Sequence, residues 1–367
     1  MKIELIKNKL QNAVIQAERL TSKSVSLPIL TNILLEAVGG RLTIKATNLE
    51  IGLEIDLPVK SEGDFSFAVN PSILNQTLQN ISGEEKIILE QNDNTTLTIK
   101  TPKGLVRVKT VSSEDFPIIP RIEQGNSFKI PTKDFIEGIK AVAYAAALSD
   151  IKPEISSVYM YQEDTVLTFV ATDSFRLSEK KIITPVTANN PRIIIPLKNA
   201  LEIIRILSDH QNTLLEVGTD ANQITLITDG VYITSRIIDG VYPDYRQIMP
   251  KSFKTTLSLN RDELISTLKL AGVVSDKFNR LSISIDTDSV TLSTKNSDVG
   301  ESELTIKPLV YSGESTVFTL NSRNILDTFQ SFTDEVVVFG CNESTKPLCI
   351  KGEQDQSFTA LVMPLRS

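Results

Sequence analysis

The 367-residue chain has one histidine, two cysteines and no tryptophan. The lone His210 precedes Gln211 and Asn212 at a predicted helix end, a surface position rather than a catalytic one. No C-x-x-C, H-E-x-x-H or G-x-x-x-x-G-K-[ST] run occurs, so zinc and P-loop nucleotide sites have no support. No G-x-S-x-G elbow occurs either. Cys341 and Cys349 are too few for a disulfide framework. They could face each other across a hairpin, but reduced packing thiols suit a cytosolic chain better. No apolar run approaches the ~18 residues of a membrane span. The start, MKIELIKNKL, lacks an apolar signal core. A cytoplasmic protein with no membrane partner is expected. Carboxylate pairs exist at Glu84-Glu85 and Asp334-Glu335, but they follow predicted helix ends, where solvated turns explain them. The formal charge of −7 argues against a simple basic nucleic-acid binder. The residues thus predict a non-catalytic protein with no metal and no cofactor.

What the sequence does have is repetition, which takes precedence over other signals. Leu42–Gly52 reads LTIKATNLEIG, Leu167–Leu177 reads LTFVATDSFRL and Val290–Gly300 reads VTLSTKNSDVG. Thr47, Thr172 and Lys295 occupy the same place, spaced by 125 and 123 residues. A finer period lies beneath. Six short alternating strands run into helical patterns, with last strand residues Ile6, Val69, Ile130, Ile195, Leu259 and Leu320, 61 to 65 residues apart. Asn70, Thr132, Asn260 and Asn321 suit helix N-caps, and Pro71 suits a first helical position. Leu10, Ala13, Val14, Ala17 and Leu20 recur at helical spacing. Helices are predicted over 7–23, 70–83, 131–148, 196–210, 260–280 and 321–335. Alternating runs with turn signals follow each, as at Asn92-Asp93-Asn94.

The unit is therefore strand, helix and about three antiparallel strands, an α+β arrangement. One unit is too small to bury both helix and sheet. Paired units, helices inside and sheets outside, give three similar domains at 1–124, 125–251 and 252–367. Proline-bearing connectors, Asp115–Pro120 and Asp244–Pro250, precede both boundaries. The predicted helical stretches are together slightly positive, which leaves the rest more negative than the −7 total.

Four segments carry a family resemblance: LPILTNILLE from Leu27, ATDSFRL from Ala171, DGVYPDY from Asp239 and VMPLR from Val362. In this order and spacing the chain resembles the bacterial DNA polymerase III beta subunits, the DNA sliding clamps, over its whole length. The resemblance implies a head-to-tail homodimer closing into a ring with helices lining the hole. It implies a processivity factor of DNA replication that encircles double-stranded DNA without reading it. A weakly positive lining would attract phosphates without gripping them. The candidates facing DNA are Lys9, Lys23, Lys152, Lys198 and Arg205. Lys198, Glu202, Arg205 and Asp209 share a helix face, so some of this charge is offset.

The resemblance also implies a slot that takes short linear peptides from the replicative polymerase, the clamp loader and repair proteins. Carried over by motif, it comprises Thr172, Phe175, Arg176 and Leu177, with Ile155 on the strand before. Pro243 and Ile248 come from the connector, and Pro347 and Leu348 from the third domain. Val362, Met363, Pro364 and Leu365 come from the tail. This predicts an apolar slot with an arginine at its edge. Phe175 replaces the family's usual histidine, and the chain's last residue here is Ser367 where an aliphatic residue is common. Peptide preference is therefore expected to differ. For the dimer seam the resemblance implies Val106 and Val108 against Val273 and Val274, edge strand joined to edge strand. A β-rich repeat scaffold for protein binding and a specialised, inhibitor-resistant clamp paralogue are the alternatives.

Overall fold

The computed structural model describes residues 1–21, 27–82, 86–93, 95–101, 104–122, 126–184 and 191–365. Six helices mark the six repeats: α1 (Lys7–Glu18), α2 (Pro71–Gln79), α3 (Thr132–Ala143), α4 (Leu197–Leu207), α5 (Arg261–Gly272) and α6 (Ser322–Thr328). Each follows a strand and precedes three antiparallel strands. The helices are shorter than their periodicity predicts. α4 and α6 tighten into single 3-10 turns at Ser208–His210 and Phe329–Ser331.

The helix starts follow side-chain chemistry. Asn70, Asn260 and Asn321 accept backbone N–H groups of Ile73, Glu263 and Asn324, which satisfies donors that no helical turn can reach. Pro71 opens α2 as its first residue. Thr132 differs from expectation: it is itself the first residue of α3, and its N–H and hydroxyl both reach the Thr213 carbonyl. α1 buries Leu10, Ala13, Val14 and Ala17, and Leu20 just beyond. It packs on α2, where Asn75 donates to Glu18 at 3.1 Å. α5 packs on α6 in the same way.

The repeats are interlocked by their first strands. Lys2–Ile6 pairs with Lys86–Asp93 of the second repeat, and Phe65–Val69 pairs with Ile33–Val38 of the first. The exchange recurs between the fifth and sixth repeats, where Thr255–Asn260 pairs with Val336–Cys341 and Thr316–Asn321 with Arg280–Ile285. The third and fourth repeats do likewise, Asn126–Pro131 on Leu214–Thr219 and Arg192–Pro196 on Ser157–Glu163. One repeat alone therefore lacks a strand of its own sheet.

The chain clusters into two units, residues 1–133 with 201–237 and residues 134–200 with 238–367. The first holds a 13-stranded sheet, continuous because Val231–Arg236 pairs with Ile51–Pro58. The second holds a nine-stranded sheet, continuous because Arg176–Ile183 pairs with Phe358–Val362, and a four-stranded sheet over Arg280–Asn321. Hydrogen-bonded sheets thus run through both regions where the sequence places boundaries. No helix among the described residues is long and apolar enough to cross a membrane.

Candidate functional site

The repeated sequence element is a specific turn. In the second copy Thr172 Oγ1 donates to the Arg176 carbonyl at 2.7 Å and accepts the Ser174 N–H at 3.1 Å. Asp173 Oδ1 accepts the N–H groups of Phe175 and Arg176, both at 2.9 Å. The first copy makes the same bonds: Thr47 to Ile51 and Leu49, Asn48 to Glu50 and Ile51. The third residue is left-handed in both, with φ of +75° at Ser174 and +76° at Leu49. In the third copy Lys295 has no hydroxyl to close this turn.

The turn leaves Phe175 62% exposed at its tip. Beyond it the strands align. Thr172 pairs with Leu177, Leu177 with Leu361 and Leu361 with Cys349. One step along, Arg176 pairs with Val362 and Val362 with Leu348. Neighbouring positions on a strand point to opposite faces, so the predicted slot residues divide. Thr172 and Leu177 lie on the face where Tyr161, Val170, Ile194, Tyr242, Tyr245, Cys349 and Leu361 form a buried cluster. Pro243 lies between Tyr242 and Tyr245 of that cluster, and Ile248 ends the 3-10 turn Tyr245–Ile248.

Arg176, Leu348 and Val362 occupy the other face. Arg176 turns toward α6. The Arg176 side chain is only 14% exposed and is held by Asp173 at 3.0 Å and by Asp327 of α6 at 2.6 Å. It also lies over the Tyr144 ring, 5.4 Å from its centre. Leu348, Pro347 and Val362 are buried. Ile155 is half-buried and lies in the turn before the strand Ser157–Glu163 rather than on it. The tail is fixed by its backbone: Met363 N–H donates to the Phe175 carbonyl and Leu365 N–H to Thr319, both at 2.8 Å. Met363, Pro364 and Leu365 are half-buried. Phe175, Val241, Pro243 and Ile248, with these partly open groups, leave apolar surface on this part of the molecule.

The connector after residue 238 rests on a polar network that sequence reasoning missed. Tyr245 Oη donates to Glu179 Oε2 at 2.6 Å and lies 2.6 Å from Tyr161 Oη. Arg246 donates to Tyr161 Oη at 2.9 Å and to Glu163 at 2.5 Å. Lys181 meets the other Glu179 oxygen at 2.9 Å. Burial, reinforced by the Glu179 charge, pushes the Tyr245 phenol far above its ordinary range, so it stays a donor. Tyr159 stacks between Tyr161 and Tyr242, with centroids 5.1 and 4.7 Å away. A cavity of about 180 Å³ opens here, lined by these tyrosines, Pro243, Arg192 and Arg246. The available signal was the tyrosine density of YMY and VYPDY.

The basic candidates are dispersed. Lys9 and Lys152 are exposed, and Lys23 lies outside the described residues. Lys198 pairs with Asp150 at 2.9 Å rather than with its helix neighbour. Arg205 pairs with Glu202 as expected, whereas Asp209 accepts the Gln16 amide at 2.6 Å. At the proposed seam Val106 and Val273 are exposed and Val274 is half-buried, but Val108 is 4% exposed and points into the core. The strand Gly104–Val111 pairs along one side with Thr96–Thr101. Among the described residues its other side meets only Ala68 and Val69, at Val111 and Thr110. Its remaining edge carries exposed Arg107 and Lys109. The strand Gly300–Ile306 ends the four-stranded sheet and carries exposed Glu301 and Glu303.

Residues with other chemical potential have structural partners. Cys341 and Cys349 are free and buried. Burial pushes their thiols up to about 12 and about 11. Asp334 accepts the N–H groups of Gln354 and Asp355. Among the described residues no three His, Cys, Asp or Glu side chains cluster as a metal site.

Comparisons with known proteins cover the whole chain. Family models of the DNA polymerase III beta subunit match residues 1–120 (N-terminal domain), 129–244 (central domain) and 246–366 (C-terminal domain). The beta sliding clamp of Synechococcus elongatus is 24% identical over 376 aligned residues, covering 100% of this chain and 99% of that one. The beta subunit of Thermotoga maritima DNA polymerase III superposes with a TM-score of 0.93 at 25% identity, over 100% of this chain and 99% of that chain. The sliding clamp of Pseudomonas aeruginosa bound to griselimycin gives 0.94 at 20% identity, covering both chains fully. With the strand–helix repeat, its interlocked sheets and these matches in hand, the chain belongs to the DNA polymerase III beta subunit family.

Proposed function

We propose that this chain is a DNA sliding clamp: two copies close head to tail into a ring around duplex DNA and tether polymerases and repair proteins. It performs no catalysis. The observation that carries this reading is the sixfold repeat, interlocked along the length shared with the solved clamps. Domains of 1–124, 125–251 and 252–367 give each copy three of the ring's six. The seam joins the open edge of Gly104–Val111 to that of Gly300–Ile306. Arg107 and Lys109 on one edge face Glu301 and Glu303 on the other, so charge selects the head-to-tail pairing. Leu105, Val106 and Val273 are the exposed apolar groups beside it.

DNA is held by topology rather than by grip. The lining cations Lys198 and Arg205 already have carboxylate partners, so phosphate contacts are weak and short-lived. Retention should then resist salt that strips ordinary phosphate binders. Partner peptides dock on the apolar surface around Phe175, Pro243, Ile248 and Met363, with Leu177 as its buried floor. Two measurements test the reading together. Solution mass should be twice the 40.5 kDa of one chain. Clamp loaded on nicked circular DNA should remain there and leave once the circle is linearised; equal loss from both would refute encirclement.

A further inference from the structure

We infer that Tyr245, Tyr161 and Glu179 are positioning residues that set the shape of the peptide slot by pinning the connector that carries its walls. This inference rests on the slot reading above. Pro243 and Ile248 flank Tyr245, two residues before and three after it. Among the described residues, the backbone hydrogen bonds of 239–249 stay within that segment: Tyr245 to Pro243, Gln247 to Asp244 and Met249 to Arg246. No ladder ties it to the sheet, so side chains must locate it. Beside the packing of Tyr242 and Tyr245 in the buried cluster, the directional ties are the Tyr245–Glu179 bond at 2.6 Å and the Arg246 bonds to Tyr161 and Glu163.

The chemistry of this pin favours position over stability. Glu179 is 4% exposed, and a buried carboxylate costs free energy that its partners only partly return. Apolar residues of similar shape would hold the connector as firmly. They would not fix it as narrowly, because burial is non-directional and a charge-assisted hydrogen bond has a set length and angle. Glu179 also lies two residues from Leu177 on the same face of the sheet. The floor and the pin of the walls are therefore built on one strand.

The test replaces both partners at once in the full-length protein: Tyr245→Phe with Glu179→Leu. A fluorescein-labelled peptide from the replicative polymerase is titrated by polarisation, and urea unfolding is followed in parallel. The expected result is an unfolding midpoint at or above that of the unmodified protein, with peptide affinity about tenfold weaker. Amide exchange of 239–249 should be faster. Glu179→Gln, which keeps an acceptor for Tyr245, should bind within about threefold of the unmodified protein, near 0.7 kcal/mol. A folded double variant binding within twofold would overturn the pin and leave the slot standing. No binding by the unmodified protein would overturn both. If the double variant does not fold, Tyr245→Phe alone decides, since it keeps the ring and loses only the hydroxyl.

Discussion

The first and second copies of the turn lead into the same arrangement and end differently. In each, the strand after the turn pairs across to a more distant part of the chain: Gly52 with Thr234, Arg176 with Val362. In each, a proline-bearing connector lies over that strand and is held by a carboxylate. Glu54 binds Arg121, and Glu179 binds Tyr245. In each, an arginine stacks over a tyrosine: Arg121 over Tyr232 at 4.3 Å, Arg246 over Tyr161 at 5.1 Å. One of the residue differences stands beneath the connector. Gly52 stands where the second copy has Leu177. A methyl added at Gly52 would lie 2.9 Å from Ile119, so the first connector already fills that space. In the second copy Leu177 belongs to the buried cluster that holds Tyr242 and Tyr245 of the connector. One turn and strand thus lead to a junction filled by the connector's Ile119 in one place and by a leucine of the strand in the other.

The largest effect should come from erasing the floor. Leu177 is 2% exposed, and Leu177→Ala should cost about 3 kcal/mol in urea unfolding and abolish peptide binding in polarisation titrations. The reverse exchange, Gly52→Leu, should cost about 1–3 kcal/mol by overpacking against Ile119 and Thr234. Pairing Gly52→Leu with Ile119→Ala should recover part of that loss; no recovery would break the proposed equivalence of the two junctions.

Alkaline pH should separate the halves next. Both thiols of the chain lie in the second unit, raised from an ordinary 9.0 to about 12 and about 11 by burial. A raised folded value means full stability below about pH 9, lost as pH climbs toward 11 and 12. Urea midpoints measured from pH 8 to 10.5 should fall less in a Cys341→Ala, Cys349→Ala double variant. The smallest effect concerns the turns. Leu49 and Ser174 adopt left-handed backbone that side chains resist. Leu49→Gly and Ser174→Gly should each stabilise by up to about 1 kcal/mol, and similar gains would mark the turns as true copies.

Much of this was legible in the sequence. Periodicity, asparagine caps and a constant spacing of junctions located all six helices, because local chemistry decides where a helix begins. Helix ends were less legible: tertiary packing and 3-10 tightening set them, and α6 runs for 7 residues only. The exchange of first strands left no local mark, since pairing partners lie from about 30 to about 90 residues apart. Within the candidate site, motif resemblance named segments that the sheet brings together, but not the faces they present. Arg176 and Leu177 are adjacent in sequence and opposite in space, and only the Arg176–Val362 register reveals it. Glu179 carries no local mark in the sequence, because its burial depends on a connector more than sixty residues away.

The exchanged strands also constrain how the protein is made. Lys2–Ile6 emerges from the ribosome early, but its neighbours Lys60–Glu62 and Lys86–Asp93 are synthesised much later. At 5–20 residues per second, roughly, that strand waits several seconds as an unpaired edge. Ile51–Pro58 waits longer for Val231–Arg236. Nascent chains of different lengths should therefore resist protease in steps, the first only after residue 93 has cleared the exit tunnel. The same interlock that joins the repeats leaves the growing chain with open strand edges while it is incomplete.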